Sequence, residues 1–88
     1  MFQSRLYFSD QNGILQGYDK EGNGDWTPSG IGGLNAPVVP QSSITALLSP
    51  SADAIKVYFF RKGASDFKRP SVAWWNPSTG WRMIDETV

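Results

Sequence analysis

The sequence predicts an all-β chain made of two copies of one antiparallel unit. Short aromatic or β-branched runs recur between clusters of Gly, Pro, Asn, Asp and Ser, the pattern of strands and turns. Nine Gly and six Pro are spread so evenly that an amphipathic helix finds no room, except around "SSITALLSPSADA", which also fits a strand ending at a turn. The run "RLYF" from Arg5 returns as "KVYF" from Lys56, 51 residues on, and Trp26 in "NGDW" precedes Trp81 in "STGW" by 55. The copies therefore match apart from four extra residues in the second hairpin loop.

In order, the expected strands are Ser4–Phe8, Ile14–Tyr18, a short one at Asp25–Thr27, then Ser43–Leu48, Ile55–Phe60, Ser71–Trp75 and Trp81–Ile84. "DQNGI" between the first two supplies the Asn-Gly pair favoured at the centre of tight hairpin turns, where both residues tolerate positive φ. The segment "TPSGIGGLNAPVVPQSS", Thr27 to Ser43, joins the copies; "APVVPQ" is too apolar for a free linker, so the segment reads as the step between units, running over the surface. The unit is close to the roughly 40–50 residues of one propeller blade, four antiparallel strands followed by a step to the next. The chain then reads as a single propeller-like domain over 1–88, with blade one at about 1–32 and blade two at about 41–88. The second copy has all four strands. The first begins at the strand holding Arg5, with no room ahead of it for an inner strand, so blade one is incomplete.

Two blades cannot close a ring, and 88 residues bury only a modest core, so assembly with further copies is expected. Eight Lys and Arg balance eight Asp and Glu; no net field steers the chain to nucleic acid or an anionic membrane. The basic residues concentrate after Ala54, with Arg61, Lys62, Lys68 and Arg69 in one loop beside Phe60 and Phe67; this loop could contact a polyanion, or be a solvated tip. With neither Cys nor His, the chain lacks disulfides, thiolate ligands, the commonest catalytic base and the commonest zinc ligand. No carboxylate sits in a strand opposite an obvious partner, and "DKEGNGD", Asp19 to Asp25, lacks the spacing and terminal Glu of a calcium loop. No enzyme, metal or cofactor is expected. No apolar run is long enough for a membrane helix and "MFQSRLYF" lacks a secretory profile, which suggests a soluble chain, cytoplasmic or exported by a non-classical route.

Strand alternation places Arg5 and Tyr7 on one face against Leu6 and Phe8, and Lys56 and Tyr58 against Val57 and Phe59; in both copies the aliphatic and aromatic face is expected to be buried. A cation beside an aromatic ring suits a sugar: the guanidinium donates to adjacent hydroxyls, an amide or carboxylate accepts from them, and a ring face packs on the apolar C–H patch. The adjacent Trp74 and Trp75 must face opposite sides, so at least one belongs to a core or interface.

The run "RLYFSDQNGILQ…W", followed by "SSITALL" and "IKVYFF…SVAWWNPSTGW", resembles the fungal fucose-specific lectins of the orange-peel-fungus type and their small two-blade bacterial relatives. The resemblance covers nearly the whole chain, as blade pattern more than identity. It implies a six-bladed β-propeller, completed in the two-blade relatives by three chains, with fucose bound between neighbouring blades by an Arg, an acidic residue some eleven or twelve positions later and a blade-end Trp. Arg5 stands at the Arg position, and Trp26 and Trp81 at the Trp position; the acidic place falls on Gln16 or Gly17, and in the second copy Lys56 replaces the Arg while Val72 or Ala73 takes the acidic place. The implied function is a fucose-recognising lectin binding fucosylated glycans through Arg5, Gln16, Trp26, Lys56 and Trp81. The alternative is a structural or protein-interaction propeller with degenerate sugar sites.

Overall fold

The computed structural model describes residues 3–48, 54–63 and 70–84. These form two antiparallel sheets. β1 (Gln3–Ser9), β2 (Leu15–Glu21) and β3 (Thr27–Pro28) make the first, in the order β1-β2-β3. β4 (Thr45–Leu48), β5 (Ile55–Phe59), β6 (Ser71–Asn76) and β7 (Gly80–Ile84) make the second, in the order β4-β5-β6-β7. Every expected strand is present; of the ambiguous stretch "SSITALLSPSADA", Thr45–Leu48 is strand and residues 49–53 lie outside the described residues. The chain is all-β, with one short 3-10 helix at Gly30–Leu34 among the described residues. None of its described helices is long and apolar enough to cross a membrane.

The first hairpin departs from the tight Asn-Gly turn. Asp10 and Ile14 close the loop through Asp10 N–H to the Ile14 carbonyl at 2.9 Å, and the Gly13 N–H bonds back to the Asp10 carbonyl at 2.9 Å. Gly13 takes a left-handed φ of 76°, whereas Asn12 does not, so the loop has three residues, with its left-handed position last. That odd loop length fixes the register: Arg5 lies opposite Asp19, Leu6 opposite Tyr18 and Tyr7 opposite Gly17. A two-residue loop centred on Asn12 and Gly13 would have set every residue of β1 opposite the next one along β2.

The joining segment runs over the surface only in part: Thr27, Pro28, Gly30, Gly33, Asn35, Pro40, Gln41 and Ser43 are exposed, and the residues between them turn inward. Ile31, Ala36 and Val38 are buried with Ser29, and they enter one core with Leu15, Ile55, Val57, Phe59 and Ala73. Backbone bonds pin the segment to both sheets: Leu15 N–H to Ala36 O and Val38 N–H to Gly13 O on one side, Val39 N–H to Phe60 O and Lys62 N–H to Pro37 O on the other. Burial of three apolar side chains holds these residues inside, since satisfied backbone groups remove the usual cost of a buried loop. Ser29 caps the 3-10 helix by accepting from the Ile31 N–H, and Asn35 ends it in the left-handed conformation.

The two copies bury opposite faces. In β5 the aliphatic face is inward, as expected, with Ile55, Val57 and Phe59 buried and Lys56 exposed. In β1 it is the Arg5 and Tyr7 face that turns towards the second sheet, while Leu6 is 51% exposed. Phe8 on that outer face is half-buried through its stack on Tyr18, with ring centroids 5.6 Å apart. The inward faces of β1 and β5 are thus opposite faces of the repeat.

Candidate functional site

Because β1 turns Arg5 inward and the register sets Asp19 across from it, the two side chains meet, Arg5 Nη1 donating to Asp19 Oδ1 at 3.2 Å. The pair is partly shielded, the side chains being 19% and 36% exposed, so water screens it only in part. It lines a cleft of about 550 Å³ that residues of both sheets enclose. Trp75, Trp81, Ile55 and Leu34 form the apolar walls, and Gly30, Gly33 and Gly80 keep the space open.

Tyr7, next along the inward face, packs its ring edge-on against Trp81 at 5.9 Å and 75°. Its ring lies directly over the β2 backbone. A Cβ at Gly17 would fall 2.8 Å from Tyr7 Cδ1 and 3.2 Å from Ile31 Cγ2, so only glycine lets the ring settle there. Burial raises the Tyr7 phenol above its ordinary pKa, with the Arg5 guanidinium opposing the shift. Tyr7 thus fixes Trp81 from behind while Arg5 and Asp19 look into the same cleft.

The expected site residues separate into two groups. Arg5 and Trp81 line the cleft together. Gln16 does not join them: it alternates to the face opposite Gly17, and its Nε2 donates to Asp10 Oδ2 at 2.9 Å, bracing the hairpin loop. Trp26 is 46% exposed outside the cleft, with the Lys20 ammonium over its ring at 5.6 Å. Lys56 lies on the outer face of the second sheet, opposite Trp74 rather than a carboxylate, and Arg82 covers Trp74 at 5.1 Å. Of the tryptophan pair, Trp75 faces the cleft and Trp74 the outside, as alternation requires.

Asp19 and Trp75 are the contributions that residue reading missed. The signal for Asp19 was the loop length: counting from a three-residue turn leads from Arg5 to Asp19, whereas counting along the strand leads to Gln16 or Gly17. Among the described residues no three His, Cys, Asp or Glu side chains are placed to hold a metal ion. The calcium-loop stretch Asp19 to Asp25 lies within them. In the basic loop, Lys68 and Arg69 lie outside the described residues, as do Phe67 and the carboxylates of Asp53, Asp66, Asp85 and Glu86. A scan of family models finds no match to this chain, and neither the curated proteins nor the solved structures compared with it provide one.

Proposed function

We propose that the chain is a non-catalytic sugar-binding protein of the fucose-recognising type, and that its site is the cleft between the sheets. The observation that carries this reading is the convergence of Arg5, Asp19 and Trp81 on one cavity. An Arg fork beside a carboxylate offers a donor pair and an acceptor at the spacing of neighbouring hydroxyls, and an indole beside them offers a surface for the apolar side of the ring. The same pairing supplies an acidic partner for Arg5, from position 19 rather than from the place at Gln16 or Gly17 that the resemblance assigns.

The two sheets are, in this reading, successive blades of a propeller that further copies complete, three chains to six blades. Its support is the inverted burial of the repeat. A two-fold stack would present the same face from both copies, whereas here the Arg5 face of one meets the Val57 face of the other. Units stacked head to tail leave the complementary pair of faces open at the two ends.

Calorimetry with L-fucose tests the site. Loss of a charged hydrogen-bonding group typically costs about 1.5–3 kcal/mol, so Arg5→Ala should weaken binding about tenfold or more, and Asp19→Asn should weaken it too. Lys56→Ala, on the outer face, should leave the affinity unchanged. Equal indifference to all three substitutions while the parent protein binds fucose would move the site elsewhere. Absence of binding to any glycan would leave the structural or protein-interaction propeller as the better reading.

A further inference from the structure

Two Asn-Gly pairs lie in the loops of the first sheet, Asn12-Gly13 between β1 and β2 and Asn23-Gly24 between β2 and β3. Such a pair is chemically labile. The glycine amide nitrogen can attack the asparagine Cγ, because glycine carries no side chain to obstruct the small ring that closes. Of the other two asparagines, Asn76 precedes Pro77, whose nitrogen has no proton to lose, and Asn35 precedes the buried Ala36. Both glycine amides in the labile pairs donate to turn carbonyls, Gly13 to Asp10 O at 2.9 Å and Gly24 to Glu21 O at 2.8 Å. Their surroundings differ. Three further bonds lock the first loop: Asp10 N–H to Ile14 O at 2.9 Å, and the Asn12 and Ile14 amides to Asp10 Oδ1 at 2.8 and 3.0 Å. Gln16 Nε2 holds the other oxygen of the same carboxylate at 2.9 Å. In the second loop, no side chain among the described residues is bonded to the Gly22, Asn23 or Gly24 amides. Asn23 has a glycine on each side, Gly22 takes a left-handed φ of 52°, and every residue from 21 to 28 is exposed.

We propose that Asn23 is a site of spontaneous deamidation, and that the Asp10 carboxylate protects Asn12 from the same reaction. Hydroxide from solvent takes the Gly24 amide proton, and the nitrogen attacks Asn23 Cγ. The Gly24 N–Cγ bond forms, the Cγ–Nδ2 bond breaks, and Nδ2 takes a proton from water and leaves as ammonia. Water then opens the succinimide at either carbonyl, giving aspartate or isoaspartate at position 23. Either product adds a carboxylate to a chain whose charges otherwise balance. Isoaspartate also lengthens the backbone between β2 and β3 by a methylene. The reaction needs the loop to open so that the glycine nitrogen can swing onto Cγ, and local opening is easiest where few bonds must break. Asn12 has the three further bonds to break first, which should slow it about tenfold or more relative to Asn23.

The test follows both sites in the intact protein held at mildly alkaline pH, by peptide mass mapping and by enzymatic methylation of isoaspartate, and repeats the measurement in guanidinium chloride. In the folded protein Asn23 should convert about tenfold or more faster than Asn12, and in denaturant the two rates should converge. Asp10→Ala should raise the Asn12 rate and leave that of Asn23 as it was. Equal rates in the folded protein, or an Asn23 that stays intact while the denatured chain reacts, overturn the proposal. A difference that persists in denaturant does the same, since it traces the rates to neighbouring residues in the sequence rather than to the loops. An Asn12 rate indifferent to Asp10→Ala removes the protecting role of the carboxylate.

Discussion

Gly30 governs how near the second sheet's Trp81 can come to the 3-10 helix. A Cβ placed there would lie 3.3 Å from Trp81 Cδ1 and 4.0 Å from its Nε1, a contact tight enough that the indole must yield. Alanine would shift the ring by a fraction of an ångström, but the branches of valine would drive it towards Arg5 and narrow the cleft. Overpacking of this kind typically costs about 1–3 kcal/mol, so Gly30→Val should lower the melting temperature modestly and, if the proposed sugar site is right, weaken binding with it. The readout that isolates the cause is the indole N–H spectrum: the Trp81 resonance should move most, and those of the exposed Trp26 and the outward Trp74 should stay in place. A Trp81 signal unmoved by Gly30→Val would mean that the two residues do not constrain each other. Position in the fold, rather than residue type, separates the four tryptophans. Trp75 and Trp81 share the cleft, Trp74 lies under Arg82, and Trp26 lies under Lys20.

The first hairpin shows how one loop places a site. Asp10 Oδ1 accepts from the Asn12 and Ile14 amides at 2.8 and 3.0 Å, and Oδ2 accepts from Gln16. The Ile14 amide first, then the Gln16 side chain, hold the Asp10 carboxyl below its ordinary pKa. A lowered pKa means that the folded hairpin prefers the carboxylate. Its stabilisation is therefore complete above the ordinary aspartate range and is lost as pH falls below that range towards the folded value. Acidification should loosen the loop, seen as reduced protection of the Ile14 amide from exchange relative to an unstructured chain at the same pH, and Asp10→Asn should remove that part of the pH dependence. An unchanged acid profile in the variant would take Asp10 out of the account. Strand positions were legible in the sequence because period-two runs bounded by turn residues leave few alternatives, as the match from β1 to β7 illustrates. What was not legible was set non-locally. Register depended on whether the Gln11 to Gly13 loop held two residues or three, and that single step decided whether Asp19 met Arg5. The burial of Ile31 and Val38 depended on a space between sheets that exists only once both have formed, and so did the choice of β1's inward face.

At the scale of the whole molecule, the described residues leave an apolar side chain on each outer face. Leu6, 51% exposed, sits with Tyr18, 38% exposed, on the outside of the first sheet, and Leu47, 57% exposed, sits beside Lys56 on the outside of the second. In the proposed ring these two faces meet between chains, as the inner faces meet within one. Such an interface is heterologous: the Leu6 face of one chain contacts the Leu47 face of the next, and never its own kind. Charge at either position should therefore disrupt assembly without touching the buried core, so Leu6→Asp and Leu47→Asp chains should each run as monomers by light scattering while the parent runs as a trimer. Their mixture discriminates further. A Leu6→Asp chain keeps an intact Leu47 face, a Leu47→Asp chain keeps an intact Leu6 face, and together they form one sound interface and no second. The mixture should give a one-to-one dimer that grows no larger. A two-fold interface between like faces behaves differently, since one of the two variants would still pair with itself and mixing would add nothing. Self-association of either variant alone, or a parent chain that stays monomeric at high concentration, would exclude the head-to-tail ring.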